Sequence, residues 1–109
     1  MFNIDKYEYI GDKVKERLSK AFKTLGDATR LEILELLVKG ETCGCTLINQ
    51  LPISQPTLSY HLKKIKDAGL TETNRDGTWI KHKISKKKLD ELINYLTLLR
   101  DGEEETCKY

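Results

Sequence analysis

Two cysteines flanking one glycine, Cys43-Gly44-Cys45, are the residues of this chain most able to do chemistry. With Thr42 as its cap, a short helix is expected from Cys43 to about Leu51, which puts both thiols in its first turn. Free N–H groups and the helix dipole favour thiolate over thiol there. Side chains at i and i+2 diverge in a regular helix, but at a fraying first turn both sulfurs can converge on one ion. A two-thiolate clip with no His or carboxylate beside it favours a thiophilic ion over magnesium or calcium. Two other readings stay open. The pair can be small buried apolar residues, or a redox couple in which a strained ring opposes the disulfide.

Ser54 to Leu70 holds a second functional pattern. Ser54 is a good N-cap, Pro56 in the first turn gives up no needed N–H, and Gly69 closes the run. At about 100° per residue, Leu58, Leu62 and Ile65 share one face. Pro56, Thr57, Tyr60, Lys63 and Lys64 face the other way, with Gln55 and Ser59 on the flanks. Such amide, hydroxyl and ammonium groups suit base edges and phosphates, and they contain no catalytic pattern. Gln55, Thr57, Ser59 and Tyr60 are the candidates for base edges, and Lys63 and Lys64 for phosphates. The plainer alternative is a solvated surface helix, with Tyr60 packed and Lys66 merely hydrated. His61, beside the apolar face, reads as a packing or hydrogen-bonding residue.

The remaining elements must position these two groups. Val14, Leu18, Ala21, Phe22 and Leu25 recur at helical spacing from Asp12, and Gly26 ends that helix. Asp27 caps a second, in which Leu31, Leu34 and Val38 form a stripe that Ile33 and Leu37 widen, as in a central core helix. The cysteine-bearing helix turns inward Leu47, Ile48 and Leu51, and Pro52-Ile53 leads tightly into the basic helix. This is a helix-turn-helix. Beyond Gly69 the period changes: Leu70–Arg75 and Thr78–Ile84 flank Asp76-Gly77, a hairpin signal. Ile80, His82 and Ile84 share one face of the second strand, His82 as a satisfied packing residue; Trp79, Lys81 and Lys83 share the other. A basic hairpin after such a helix is a wing, in which Arg75 with Lys81 or Lys83 can reach backbone or minor groove. Ser85 caps a last helix carrying Leu89, Leu92, Ile93, Leu96 and Leu99. With the first helix it offers an apolar seam to a second subunit.

The fold class is therefore mainly α with a β-hairpin wing, in the order four helices, two strands, one helix. A chain of 109 residues makes one domain, with a core over residues 12–100 and ends at 1–11 and 101–109 expected to be mobile. Residues 54–88 carry nine Lys or Arg against three acids, a net of +6, while the rest of the chain holds −4. That local clustering is a footprint for a polyanion. No stretch has the length of a membrane span, and Met1-Phe-Asn-Ile-Asp-Lys6 is not a signal peptide. Three cysteines, an odd count, fit a reducing cytoplasm better than a secreted disulfide framework. A small thiol-disulfide enzyme using Cys-Gly-Cys fits poorly, because no βαβ pattern surrounds the pair and the basic wing would go unused.

Leu25-Gly-Asp-Ala-Thr-Arg-Leu-Glu-Ile-Leu34, Ser54-Gln-Pro-Thr-Leu-Ser-Tyr-His-Leu62, Asp67-Ala-Gly-Leu70 and the wing turn Arg75-Asp-Gly77 together resemble the ArsR family, winged-helix repressors responsive to arsenic and metals. The likeness spans roughly residues 12–100. It implies a homodimer on an inverted-repeat operator, with first and last helices at the interface (Val14, Leu18, Leu92, Leu96 and Leu99). It also implies DNA binding without a cofactor and release by an effector. Two half-sites one turn apart ask for a two-fold dimer with recognition helices roughly 34 Å apart. In one subgroup, a Cys-x-Cys at the start of this helix is a trivalent arsenic and antimony site, often with a third cysteine three residues on. Here that position is Ile48, which leaves Cys107 or a small-molecule thiol as third ligand. The cadmium/lead subgroup adds N-terminal cysteines, and residues 1–42 have none. The zinc subgroup uses His on the last helix, and residues 85–100 have none. Arsenite or antimonite is the expected inducer, with a thiol redox response as the rival.

Overall fold

Asp27, Ser54 and Ser85 each stand in extended backbone one residue ahead of a helix. Each side chain accepts an otherwise unpaired N–H three residues on: Arg30 at 3.0 Å, Thr57 at 3.3 Å and Lys88 at 3.2 Å. The computed structural model describes residues 11–40 and 42–102. Its helices are α1 (Asp12–Leu25), α2 (Ala28–Val38), α3 (Gly44–Gln50), α4 (Gln55–Asp67) and α5 (Lys86–Asp101). Between α4 and α5 lie β1 (Thr71–Asp76) and β2 (Trp79–Ile84), one antiparallel hairpin. This is the winged helix-turn-helix order read from the sequence.

Leu58, Leu62 and Ile65 place α4 at the centre of the core, joined by Leu18 and Ala21 of α1, Ile33 and Leu37 of α2, Leu47 and Leu51 around α3, Leu70, and Leu92 of α5. The passage from α4 to the wing is fixed by Gly69 at φ 78. There the Leu70 N–H donates to the Ile65 carbonyl at 3.1 Å and the Gly69 N–H to the Lys66 carbonyl at 2.9 Å, a paired helix ending that needs a left-handed residue.

Four expectations are corrected. On α2 the buried stripe is Ile33 and Leu37; Leu31 is 46% and Val38 74% exposed, beside an open apolar groove with Leu70, Ile84 and Leu89. Only one side of α2 meets the core, so the broad apolar surface is not all buried. Leu18 and Leu92, expected on the intersubunit seam, are 6% and 3% exposed within the protomer's own core. They point inward because α1 and α5 lie against each other, Phe22 on Tyr95 at 6.2 Å and Arg17 to Glu91 at 3.7 Å. The hairpin loop is Gly77-Thr78, not Asp76-Gly77, because Asp76 pairs with Trp79. Gly77 takes φ 67 in the first loop position, the glycine-first arrangement suited to the strand twist. Finally, α5 runs through Asp101, which Arg100 holds at 2.8 Å. The ends at 1–10 and 103–109, expected to be mobile, lie outside the described residues.

Ile33→Ala should lower unfolding free energy by about 2–5 kcal/mol. Leu31→Ala should lower it by less, about 1 kcal/mol, since the residue is 46% exposed. Urea titrations followed by circular dichroism measure both; equal losses would restore the broader α2 stripe.

Candidate thiol site and nucleic-acid interface

Cys43 is the N-cap of α3, one residue earlier in the helix frame than expected, with extended backbone at φ −104 and ψ 140. Thr42 is therefore not the cap. Cys43 Sγ accepts the Cys45 N–H at 3.3 Å. The extended cap turns the Cys43 side chain back toward the helix. The two sulfurs meet as a Cys43–Cys45 disulfide, with Cα atoms 5.2 Å apart. That separation is within the ordinary range of about 4.4–6.8 Å, so the backbone poses no obstacle to a disulfide between positions two apart. Cys43 is half-buried and Cys45 exposed, which removes the reading of a buried apolar pair. Ile48 is partly buried against the core. Among the described residues no third His, Cys, Asp or Glu joins the pair; Cys107 lies outside them.

The cap has a second attachment that the sequence did not reveal. Cys43 pairs as an isolated antiparallel bridge with Lys81 of β2, and the His82 N–H donates to the Thr42 carbonyl at 2.9 Å. The thiol segment is thus a short third rung on the wing. Non-local pairing of this kind leaves no local signature, since the partners are 38 residues apart.

Gln55, Thr57, Ser59, Tyr60, Lys63 and Lys64 are all exposed on α4, opposite Leu58, Leu62 and Ile65. The Ser54 hydroxyl donates to Thr57 Oγ1 at 2.9 Å, leaving the Thr57 hydroxyl hydrogen free to point outward. Arg75, Lys81 and Lys83 are exposed on the wing. Lys63 holds Asp67 at 3.1 Å and Lys81 holds Asp76 at 3.3 Å. Both pairs lie in solvent, where such contacts are worth at most about 1 kcal/mol and yield readily to a polyanion. The Lys63 ammonium keeps the Asp67 carboxyl below the usual carboxylate range. A cleft between α4 and the wing is lined by Ser59, Lys63, Lys66, Thr73, Arg75 and His82.

Residues 27–73, from the α2 cap into β1, match the model of the arsR family of bacterial regulatory proteins. An arsenical resistance operon repressor of Staphylococcus aureus is 38% identical over 94 residues, covering 85% of this chain and 90% of that protein. This chain belongs to the ArsR family. Among solved structures, an ArsR-like transcriptional regulator from Rhodococcus sp. RHA1 superposes with TM-score 0.72 at 29% identity, covering 83% of each chain. A homodimeric winged helix-turn-helix DNA-binding domain from Mycobacterium bovis superposes with TM-score 0.66 at 25% identity, over 89% of this chain and 90% of that one. The ArsR-family chain is accordingly a transcriptional regulator, and no described helix is long and apolar enough to cross a membrane.

Three features of this ArsR-family chain lay beyond the sequence reading. Lys66, assigned only to solvent, lines the cleft beside Lys63. His61 has a specific partner: its Nδ1 accepts the Arg30 Nε–H at 3.0 Å. His82, expected to be satisfied, has a buried Nδ1 with no hydrogen-bond partner, and Ile80, expected inward with it, is 44% exposed because the wing tip projects beyond the core. Burial, and after it the Lys66 charge, holds the His82 imidazole below its ordinary titration range.

A depressed folded-state value means the unfolded chain binds the proton more readily. Stability is therefore retained above the unfolded value, near pH 6.5, and lost as pH falls through the folded one. Melting temperature should drop more between pH 7 and 5 in the native chain than in His82→Gln; parallel profiles would show that His82 contributes nothing.

Proposed function

We propose that this chain is a homodimeric repressor that grips an inverted-repeat operator and releases it when trivalent arsenic or antimony binds Cys43 and Cys45. The observation that carries the reading is the convergence of two sulfurs at a helix cap that is itself paired with the wing. Gln55, Thr57, Ser59 and Tyr60 face base edges. Lys63 and Lys64 hold phosphates, as do Arg75, Lys81 and Lys83 on the wing. No cofactor is needed for this binding, and nothing in the arrangement calls for enzymatic turnover.

Once a cellular thiol reductant has opened the Cys43–Cys45 disulfide, at the cost of its own oxidation to a disulfide, the two cysteine thiols displace two hydroxides from arsenious acid, forming two As–S bonds and releasing two waters. A third sulfur, from Cys107 or a small-molecule thiol, displaces the third hydroxide in the same way. Ligation draws both sulfurs onto one ion and takes the Cys43 sulfur from the Cys45 N–H. Strain then passes two ways, through α3 into the turn before α4, and through the Cys43–Lys81 bridge into β2. The shift is limited by the ion's difference in affinity for free and DNA-bound protein.

The dimer is assigned to the outer face of α5, where Ile93 is 56%, Leu96 51% and Leu99 52% exposed. With Leu18 and Leu92 committed to the protomer core and Val14 packed against it, Leu96 and Leu99 remain of the expected seam. The redox rival keeps the same scaffold and differs in its trigger.

Cys43→Ser and Cys45→Ser should each bind DNA normally yet need more than about tenfold more arsenite for release, since a hydroxyl is a hard, poor ligand for a soft ion. Fluorescence anisotropy of a labelled operator measures it. Cys107→Ser should raise the arsenite requirement only if the tail supplies the third sulfur. Release by peroxide but not arsenite supports the redox rival, and arsenite release surviving in the double serine variant rules out the sensing model. Separately, Leu96→Asp should sediment as a monomer with DNA affinity lost, because an unpaired carboxylate in an apolar seam is costly; a dimeric, fully binding variant would remove α5 from the interface.

A further inference from the structure

About a third of a turn around α4 from the wing-side cleft, the Tyr60 ring carries two cations. Arg30 Cζ is 5.9 Å and Lys64 Nζ 5.5 Å from its centroid. Arg30 comes from the first turn of α2, and its Nε–H is held by His61 Nδ1 at 3.0 Å. One edge of the guanidinium is thereby fixed, and among the described residues its terminal nitrogens make no ion pair. Asp27 accepts the Arg30 backbone N–H as the α2 cap and feels the Arg30 charge, but makes no ion-pair contact with the guanidinium.

We propose that Arg30 and Lys64, on their Tyr60 platform, form a second phosphate clamp, for the DNA strand across the major groove from the one entering the wing cleft. On α4, Lys63 and Lys66 line the wing-side cleft, whereas Tyr60 and Lys64 lie about a third of a turn away at about 100° per residue. A helix about 10–12 Å across fills a major groove about 12 Å wide. Its two flanks therefore meet the two phosphate walls, and each flank carries its own cations. Arg30 suits the task because a planar guanidinium stacked on a ring and hydrogen-bonded at Nε loses little further freedom when its Nη atoms take a phosphate. The inference rests on the DNA-binding reading above.

The test is the salt dependence of binding to a mixed-sequence 30-base-pair duplex, where base readout is averaged out and the slope of log affinity against log salt counts phosphates. Arg30→Gln and Lys64→Gln should each make that slope shallower by about 0.9. Arg30→Lys, which keeps the charge, should preserve it. Lys63→Gln serves as the wing-side reference and should also be shallower. If Lys63→Gln loses slope while Arg30→Gln and Lys64→Gln keep the wild-type value, the clamp is wrong and DNA binding stands. If Arg30→Lys loses as much slope as Arg30→Gln, Arg30 acts only by holding the fold, and the clamp is likewise wrong. A wild-type chain with no salt-dependent binding would overturn the DNA reading itself. Should Arg30→Gln melt early, Lys64→Gln carries the test, since Lys64 is an exposed helix residue outside the core.

Discussion

One apolar stripe holds the molecule in working order. Leu58, Leu62 and Ile65 of α4 are buried at 2%, 8% and 0% exposure, and α1, α2, α3 and β1 all close on that helix. Because that face is committed, α4 cannot rotate without exposing core, so Gln55 to Lys64 must point outward. A polar surface becomes a reading surface when the opposite face leaves it no freedom.

Beyond Thr73 the wing is exposed on both strands and draws little on the core. Its position depends on the hairpin ladder, on the Ser85 N–H to Leu70 carbonyl bond at 2.9 Å, and on the rung formed by Thr42 and Cys43. Segments with few buried contacts open at the lowest cost. The domain therefore joins its thiol segment to a lightly anchored element, where a small rearrangement can be absorbed without disturbing Ile33, Leu47 or Ile65.

Most of the fold was legible because its signals are local. Asp27, Ser54 and Ser85 announced their helices as caps, Gly69 announced the end of α4, and the change from helical spacing to alternation announced the wing. The errors over Leu31, Val38, Leu18 and Leu92 share one cause, which is that tertiary placement chooses among locally equivalent options; those over the α3 cap and the hairpin loop are one-residue shifts of frame. Leu31 and Ile33 are alike in type, and only the docking of α2 decides which is buried. Leu18 and Leu92 suit a seam as well as a core until α1 and α5 are seen to touch. In the candidate sites, the outward face of α4 followed from periodicity. The Thr42–His82 hydrogen bond and the Arg30–His61 contact join distant segments, so no window of sequence could contain them.

Cys43 occupies a cap. A helix start accepts many short polar residues with little change to the helix behind it, and Cys45 beside it is exposed, so neither sulfur fills space that the core needs. The proposed trigger is in this sense detachable. Two residues can be exchanged, giving a different ligand preference or none, while the scaffold that folds and the face that reads are inherited intact. A lineage built on this frame can acquire, lose or retune its chemical trigger by changes at a helix end, without first solving the folding problem again.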